Sequence, residues 1–318
     1  MREYRITEDD SGRRLDKFAG RILSEAPSSF VYKMLRKKNI ELNDRKATGS
    51  EILTAGDTVK FYLSDETMTK FSKSLSKDQS LSGKMPPIVY EGDDLIIVNK
   101  PSGMLSQKSQ AGDISLNEIC LSYISFDPSG QTFTPSVCNR LDRNTSGLIT
   151  FAKTYKGSRA VAEALRSRTV HKYYTAVVRG VIKEDTDLKG SLVKDEKTNT
   201  VTVYDDDKGS YINTKVHPIA TNGDISIVEI LLVTGKTHQI RAHLAHIGHP
   251  IIGDMKYGDR NLNMTFKRLG IDSQMLACTK MVFPKGFDIP DLSGRTVSIN
   301  PPDEYEKVMK WQCGTQEV

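Results

Sequence analysis

The stretch SDETMTKFSKSLSKDQSLSGKMPP, residues 64 to 87, constrains this chain more than any other: it is rich in Ser and Lys, poor in branched apolar residues, and closed by Gly83, Pro86 and Pro87. Such a composition cannot bury enough apolar surface to join a core, so it reads as a flexible linker that Phe71 and Leu75 could tack onto a neighbour. It divides a chain of 318 residues into two unequal folding units, in keeping with a length beyond one ordinary domain. We expect a small domain over 1–64, a linker over 65–87, a large domain over 88–303 and a C-terminal tail over 304–318.

The small unit reads as two helices and two strands. Leu15, Phe18, Ala19, Ile22 and Leu23 recur at helical spacing. Ser28 or Ser29 would cap a second helix that turns Phe30, Val31, Met34 and Leu35 inward and Lys33, Arg36, Lys37 and Lys38 outward. IELND and TVKFYL follow as strands. Residues 12–62 hold eleven Lys/Arg against six acids, so this segment carries the whole formal net charge of +5. That is the electrostatic footprint of a nucleic-acid-binding module, with Arg13, Arg14, Lys33, Arg36, Lys37 and Lys38 as its candidate contacts.

Beyond the linker strand signals dominate, in LIIVNK, LITFAKT, KYYTAVVRGVI, TNTVTVY, TKVHPIA and ISIVEILLV. Two helices interrupt them: GSRAVAEALRSRTV, and HQIRAHLAHIGHP, which Thr237 would cap and Gly248 with Pro250 would end. Strands outnumber helices and are not joined by regular helical crossovers, so the fold class is α+β with a mixed, mainly antiparallel sheet. The absence of a long apolar run, and an N-terminus charged from its second residue, speak against a membrane span or signal peptide and for the cytoplasm. Cys120, Cys138, Cys278 and Cys313 lie far apart, which suits reduced, mostly buried thiols rather than disulfides or a zinc knuckle.

Within CNRLDRNTSGLITFAKT, residues 138 to 154, Asp142 stands between Arg140 and Arg143 in a short polar loop that runs into an apolar strand. A general acid needs desolvation or a like charge, and flanking guanidinium groups act the other way. Nucleophile or electrostatic stabiliser remain, beside the plainer reading of a surface ion-pair turn. Arginines next to a reacting carboxylate suit a polyanionic substrate, whose phosphates they hold bidentately.

NRLDRNTSGLITFAK resembles the catalytic signature of the RluA family of pseudouridine synthases. VYEGDDLIIVNKPSGML, HKYYTAVVRG and LLVTGKTHQIRAHLAHIGHPIIGDMKYG resemble three further motifs of that family in order, so that the likeness spans residues 88 to 284. The basic unit resembles the RNA-binding fold named after small-subunit ribosomal protein S-four, nearest to the subgroup that modifies large-subunit ribosomal RNA. Two positions depart from the pattern: Asn139 stands where a histidine is usual, and LACTKMVF lacks the histidine of the late motif.

The resemblance implies an isomerase that breaks the sugar-to-nitrogen bond of a flipped-out uridine and rejoins the base through carbon, without a cofactor. It makes Asp142 the nucleophile, Tyr174 the residue that stacks on the base and takes its proton, and Arg241 the partner that keeps Asp142 charged and aimed. Arg140 would fill the vacated space and Leu244 would pack on the base. Arg143 and His238 are placed near RNA, Lys100 and Lys172 near the site as RNA-backbone or structural contacts, and Tyr173, on the other face of its strand, in the core. The four histidines His238, His243, His246 and His249 lack the acid or thiol that would complete a metal site, so no metal is expected. Asp94 and Asp254 read as turn residues. The implied partner is ribosomal RNA, with transfer RNA as the alternative substrate; DNA and membranes are not expected, and the chain is read as a monomer. A catalytically silent ribosome-assembly factor is the competing reading, and the joint presence of Asp142, Tyr174 and Arg241 argues against it.

Overall fold

The computed structural model describes residues 1–71, 83–110, 112–126 and 133–310. The first of these stretches contains β1 (Arg2–Arg5), α1 (Leu15–Ile22), α2 (Ser28–Arg36), β2 (Ile40–Leu42), β3 (Arg45–Lys46), β4 (Thr58–Phe61) and α3 (Asp65–Phe71). Its strands form an antiparallel sheet in the order β1-β4-β2-β3. The apolar stripes of α1 (Leu15, Phe18, Ala19, Ile22) and α2 (Val31, Met34, Leu35) join Ile40, Val59 and Phe61 in one hydrophobic cluster. Burying a side chain of this size stabilises by roughly 1.5–3 kcal/mol, which explains why so short a segment holds together. Neither serine caps α2: Pro27 stands at the N-cap, and Ser28 is the first helical residue.

Residues 65–71, expected to open a flexible linker, form α3. Ser64 Oγ accepts the Thr67 N–H at 3.2 Å, and Asp65 and Glu66 occupy the first turn. Met68 is fully buried, and Phe71 packs on Phe30 with ring centroids 4.6 Å apart. Leu75, the second expected contact, lies outside the described residues.

The remainder builds a large mixed sheet from β5 (Ile88–Glu91), β6 (Leu95–Lys100), β7 (Ser136–Val137), β8 (Ser146–Ala152), β9 (His171–Arg179), β10 (Thr186–Asp195), β11 (Thr200–Tyr204), β12 (Ser210–Thr221), β13 (Ile225–Leu232), β14 (Leu276–Val282) and β15 (Thr296–Ser298). The path runs β11-β10-β12-β13-β9-β14-β8-β6-β5, with β15 on β14 and β7 on β8. Helices α4 (Leu116–Tyr123), α5 (Tyr155–Arg166), α6 (Gln239–His246), α7 (Arg260–Arg268) and α8 (Glu304–Val308) complete it. This is the α+β class read from the strand patterning, with helices α4 and α7 added.

Among the strands of the described residues only β8 and β14 pair in parallel, and the pairing is central: Cys278 of β14 sits opposite Gly147 on one side and Tyr174 of β9 on the other. Gly147 is obligatory there, because at φ +109° a Cβ would run into the Cys278 backbone. Residues 304–308, expected as tail, are ordered as α8, whose Tyr305 and Val308 pack with Phe266 and Ile252. Among the described residues no helix is long and apolar enough to cross a membrane.

Candidate active site

A cavity of about 1010 Å³ opens at the centre of the large sheet, walled by the loop 139–145, by Lys172 and Tyr174 of β9, and by residues 232–241 leading into α6. Its chemistry begins with how the loop is held. Lys100 ends β6 fully buried, and its ammonium donates to the carbonyls of Pro101 (3.0 Å), Met104 (2.8 Å) and Arg143 (3.0 Å). Ser106 accepts the Leu141 N–H at 3.1 Å and donates to the Leu141 carbonyl at 2.8 Å. On the other side Thr145 N–H closes a turn on the Asp142 carbonyl at 3.0 Å, and Gln274 donates to Thr145 Oγ1 at 3.2 Å. Asp142 is therefore gripped at both neighbours, and its carboxylate is left partly exposed to the cavity.

That carboxylate meets a guanidinium from far along the chain. Arg241 Nη1 donates to Asp142 Oδ2 at 2.9 Å, while its Nε and Nη2 donate to the two oxygens of Asp254 at 2.7 and 2.9 Å. Asp254 is fully buried and also accepts the N–H groups of Lys256 and Tyr257. Burial pushes the Asp254 carboxyl up, but the Arg241 hydrogen bonds and charge outweigh it and leave the group below the usual carboxylate range. Burial likewise works against charged Arg241, and its two carboxylate partners reverse this, raising its pKa. Held by Asp254 through Nε and Nη2, the guanidinium plane is fixed and its Nη1 is aimed at Asp142.

His238 completes this wall. It stands at the N-cap of α6 at φ +52°, with no side-chain cap bond, where Thr237 had been expected to cap. Its Nδ1 lies 2.9 Å from Tyr257 Oη and its Nε2 3.9 Å from Asp142 Oδ2. Burial lowers its pKa more than Asp142 raises it.

Tyr174 is 4 % exposed and faces the cavity. Burial, reinforced by Cys278 and Asp142, raises its phenol well above the ordinary 10. It stays protonated at neutral pH and turns its ring and hydroxyl toward the cavity. Tyr173 does face the opposite side of β9, yet it is half-exposed under the Lys280 ammonium, 4.1 Å from its ring centroid, and is not core.

The structure separates the other expected contacts. Arg140, Arg143, Lys172 and His238 all line the cavity. Arg140 and Arg143 are exposed, and neither is the partner of Asp142; Arg143 Nε donates instead to the Gly103 carbonyl at 3.1 Å. Lys100 takes the structural one of its two expected roles, buried with its three donors satisfied. Leu244 is fully buried in the main core and does not line the cavity; Leu232, Ile240 and Leu276 supply its apolar wall instead. Arg13 is 8 % exposed at its side chain, pairs with Asp10 and stacks on the Tyr155 ring, so it holds the N-terminal unit to α5 rather than a nucleic acid. Arg14 is half-exposed and bound to Asp16 through two hydrogen bonds. Lys33, Arg36, Lys37 and Lys38 are exposed, as their spacing required.

The remaining histidines are hydrogen-bonded one by one: His243 to Thr214, His246 to Asp205 and His249 to the Arg179 carbonyl. Asn139 uses its Oδ1 to accept the Thr150 N–H at 2.9 Å, which ties the loop to β8. Asp254, Ser106 and Tyr257 were not singled out from the sequence as site residues. Asp254 is a turn residue as expected, and only its place 13 positions after Arg241 in a matched motif hinted at a pair.

The profile of the family described as RNA pseudouridylate synthase matches residues 94–246. The chain belongs to this family, whose members are isomerases that act on RNA. It is 32% identical over 308 residues to "Ribosomal large subunit pseudouridine synthase C" of Haemophilus influenzae, covering 95% of this chain and 91% of that one. The protein of the same description from Vibrio cholerae is 31% identical over 284 residues, 87% of each chain. Among solved structures, "Human RNA Pseudouridylate Synthase Domain Containing 4" superposes with a TM-score of 0.52 at 21% identity, covering 69% of this chain and 90% of that chain, which shows the shared fold.

Proposed function

We propose that this enzyme isomerises uridine to pseudouridine in structured large-subunit ribosomal RNA, with Asp142 as its nucleophile and the target base turned out of its helix. The RNA target is supported by the descriptions of the two bacterial relatives, each matched over most of its length. The observation that carries the reading is the Asp142–Arg241–Asp254 chain of hydrogen bonds at the cavity wall. A carboxylate aimed by a guanidinium on one of its oxygens can meet the sugar or the base as the bond between them breaks.

The bond from C1′ to N1 breaks, the base turns, and C5 bonds to C1′ while the bond that Asp142 formed breaks and returns its electron pair to the carboxylate; C5 loses a proton and N1 gains one, with no net redox change. A duplex hides these atoms, so the nucleotide is extruded. Arg140, exposed beside the nucleophile, fills the space that the base leaves. Tyr174 packs against the base, and Arg143, Lys108, Lys236 and Lys256 on the rim favour the phosphates around it. The exposed Lys33, Arg36, Lys37 and Lys38 of the N-terminal unit, a domain of its own in this reading, bind phosphates further away.

Pseudouridine maps of total RNA from cells carrying the intact gene, lacking it, and carrying Asp142→Asn test this directly. The last two should lose the same positions in large-subunit ribosomal RNA; three identical maps would overturn the proposal.

A further inference from the structure

The cavity holds one cation beyond those that grip Asp142 or line the rim. Lys172 precedes Tyr174 by two residues on β9 and shares its face, whereas Tyr173 between them turns to the far side under Lys280. The other cavity cations are either closed off or exposed. Lys100 is bound to three carbonyls and Arg241 to two carboxylates. Lys256 donates to the Thr198 and Asn199 carbonyls. Lys108, Arg168, Lys194 and Lys236 are exposed, as suits phosphate contacts at a rim. Lys172 alone is half-buried with no hydrogen-bond or carboxylate partner for its ammonium among the described residues. Gly235 lies over it: a Cβ there would come 3.7 Å from Nζ, so the missing side chain leaves the ammonium open to the cavity.

A buried cation without an acceptor is costly unless an anion arrives. We propose that the Lys172 ammonium touches the extruded base and holds the negative charge that develops on its carbonyl oxygens as the bond from C1′ to N1 breaks. The electron pair of that bond leaves with the base, as an anion shared between N1 and the two carbonyls. Lys172 donates a hydrogen bond to it and keeps its own proton. When C5 bonds to C1′ the charge returns to the new bond, the C5 proton departs, and N1 takes one up. A contact that strengthens only as charge appears lowers the barrier rather than the energy of binding. Burial lowers the Lys172 pKa from its ordinary 10.5, partly opposed by Cys278, so the ammonium gives up its proton at a lower pH than a free lysine does.

This inference rests on Asp142 acting in the same cavity, and the test separates the two. Substrate RNA from a mapped site is prepared with uridine or with 5-fluorouridine at the target; fluorine itself stabilises the departing anion. Single-turnover cleavage at saturating RNA is then compared for the native enzyme, Lys172→Met, Lys172→Gln and Asp142→Asn, with melting curves for each. Lys172→Met should slow uridine cleavage on the order of 10²-fold, the usual scale for removing one preorganised donor. RNA affinity should stay the same, and the loss should shrink at least about tenfold on 5-fluorouridine, where less charge remains to be held. An equal loss on both bases, or a loss confined to RNA affinity, would overturn the inference. Should the Met variant not fold, Lys172→Gln is put through the same comparison of the two bases, and an equal loss on both rejects the proposal. An active Asp142→Asn enzyme would instead defeat the parent reading.

Discussion

The molecule carries positive charge in two regions that are built in opposite ways. On α2 and the residues just after it four cations fall within six positions, all exposed, and the whole formal excess of the chain lies in the segment around them. Around the cavity the cations come from β9, β10 and several loops, and acids elsewhere in that part of the chain cancel them in the count. The first region is a local fact of sequence; the second exists only after folding. Net charge therefore finds a docking face and overlooks a reaction chamber.

The two should also fail differently. The largest expected effect is at the cavity. Arg241→Met leaves Asp254 buried without its partner, which should destabilise the fold by about 3–5 kcal/mol, the usual cost of breaking such a pair, and abolish turnover. The double variant Arg241→Met/Asp254→Asn, whose amide oxygen still accepts the Lys256 and Tyr257 N–H groups but carries no charge, should melt closer to the native protein in a thermal scan yet remain inactive, because Asp142 still lacks its guanidinium. A double variant no more stable than the single one would show that the pair is not what holds the wall.

A smaller effect concerns acid. His243 on α6 is buried, and burial depresses its pKa to about 4 from the ordinary 6.5. The unfolded chain binds its proton first, so stability is at its full value above pH 6.5 and drains away as pH falls toward 4. By linkage that difference is worth up to about 3 kcal/mol. Denaturant titrations of the native protein and His243→Asn between pH 7 and 4 should diverge, with the variant showing the shallower slope; parallel curves would mean that His243 does not set the acid limit.

The mildest effect should come from α2 itself. Replacing Lys33, Arg36, Lys37 and Lys38 by Gln should leave single-turnover rates at saturating RNA unchanged and flatten the dependence of log affinity on log salt, by up to roughly 0.7–0.9 for each phosphate no longer neutralised. An unaltered slope would mean that this face does not meet RNA, and the contrast between the two regions would collapse.

What the sequence made legible follows the same division. The strands of the large sheet show in the spacing of their own apolar residues, and the Asp142 loop shows in a contiguous motif. Pairings made across the chain show only where a family motif marks them. Residue types alone point to Arg140 and Arg143, which adjoin Asp142 and which the chain turns to the rim; the bond from Arg241, 99 positions away, was legible through the resemblance and is there. Asp254 could not be told from an ordinary turn aspartate, because it is one: its oxygens take two backbone N–H groups as well as the arginine. Lys100 invited an RNA role since lysines seldom lie buried, and three convergent carbonyls are not visible in residue types alone. Leu244 matched a motif position, yet its place further along α6 carries it past the cavity into the core. In α3 the Ser- and Lys-rich composition concealed Met68, which joins the expected anchor Phe71, and the two were enough to order a helix.

The parallel contact of β8 with β14 has a consequence for synthesis. Because β14 slots between β8 and β9, a ribosome must deliver residue 278 before either of those strands gains its inner neighbour. Until then both present bare backbone donors and acceptors, the kind of edge on which growing chains stick to one another. A premature stop anywhere ahead of β14 would thus release a polypeptide split through the middle of its sheet, prone to clump rather than merely inactive.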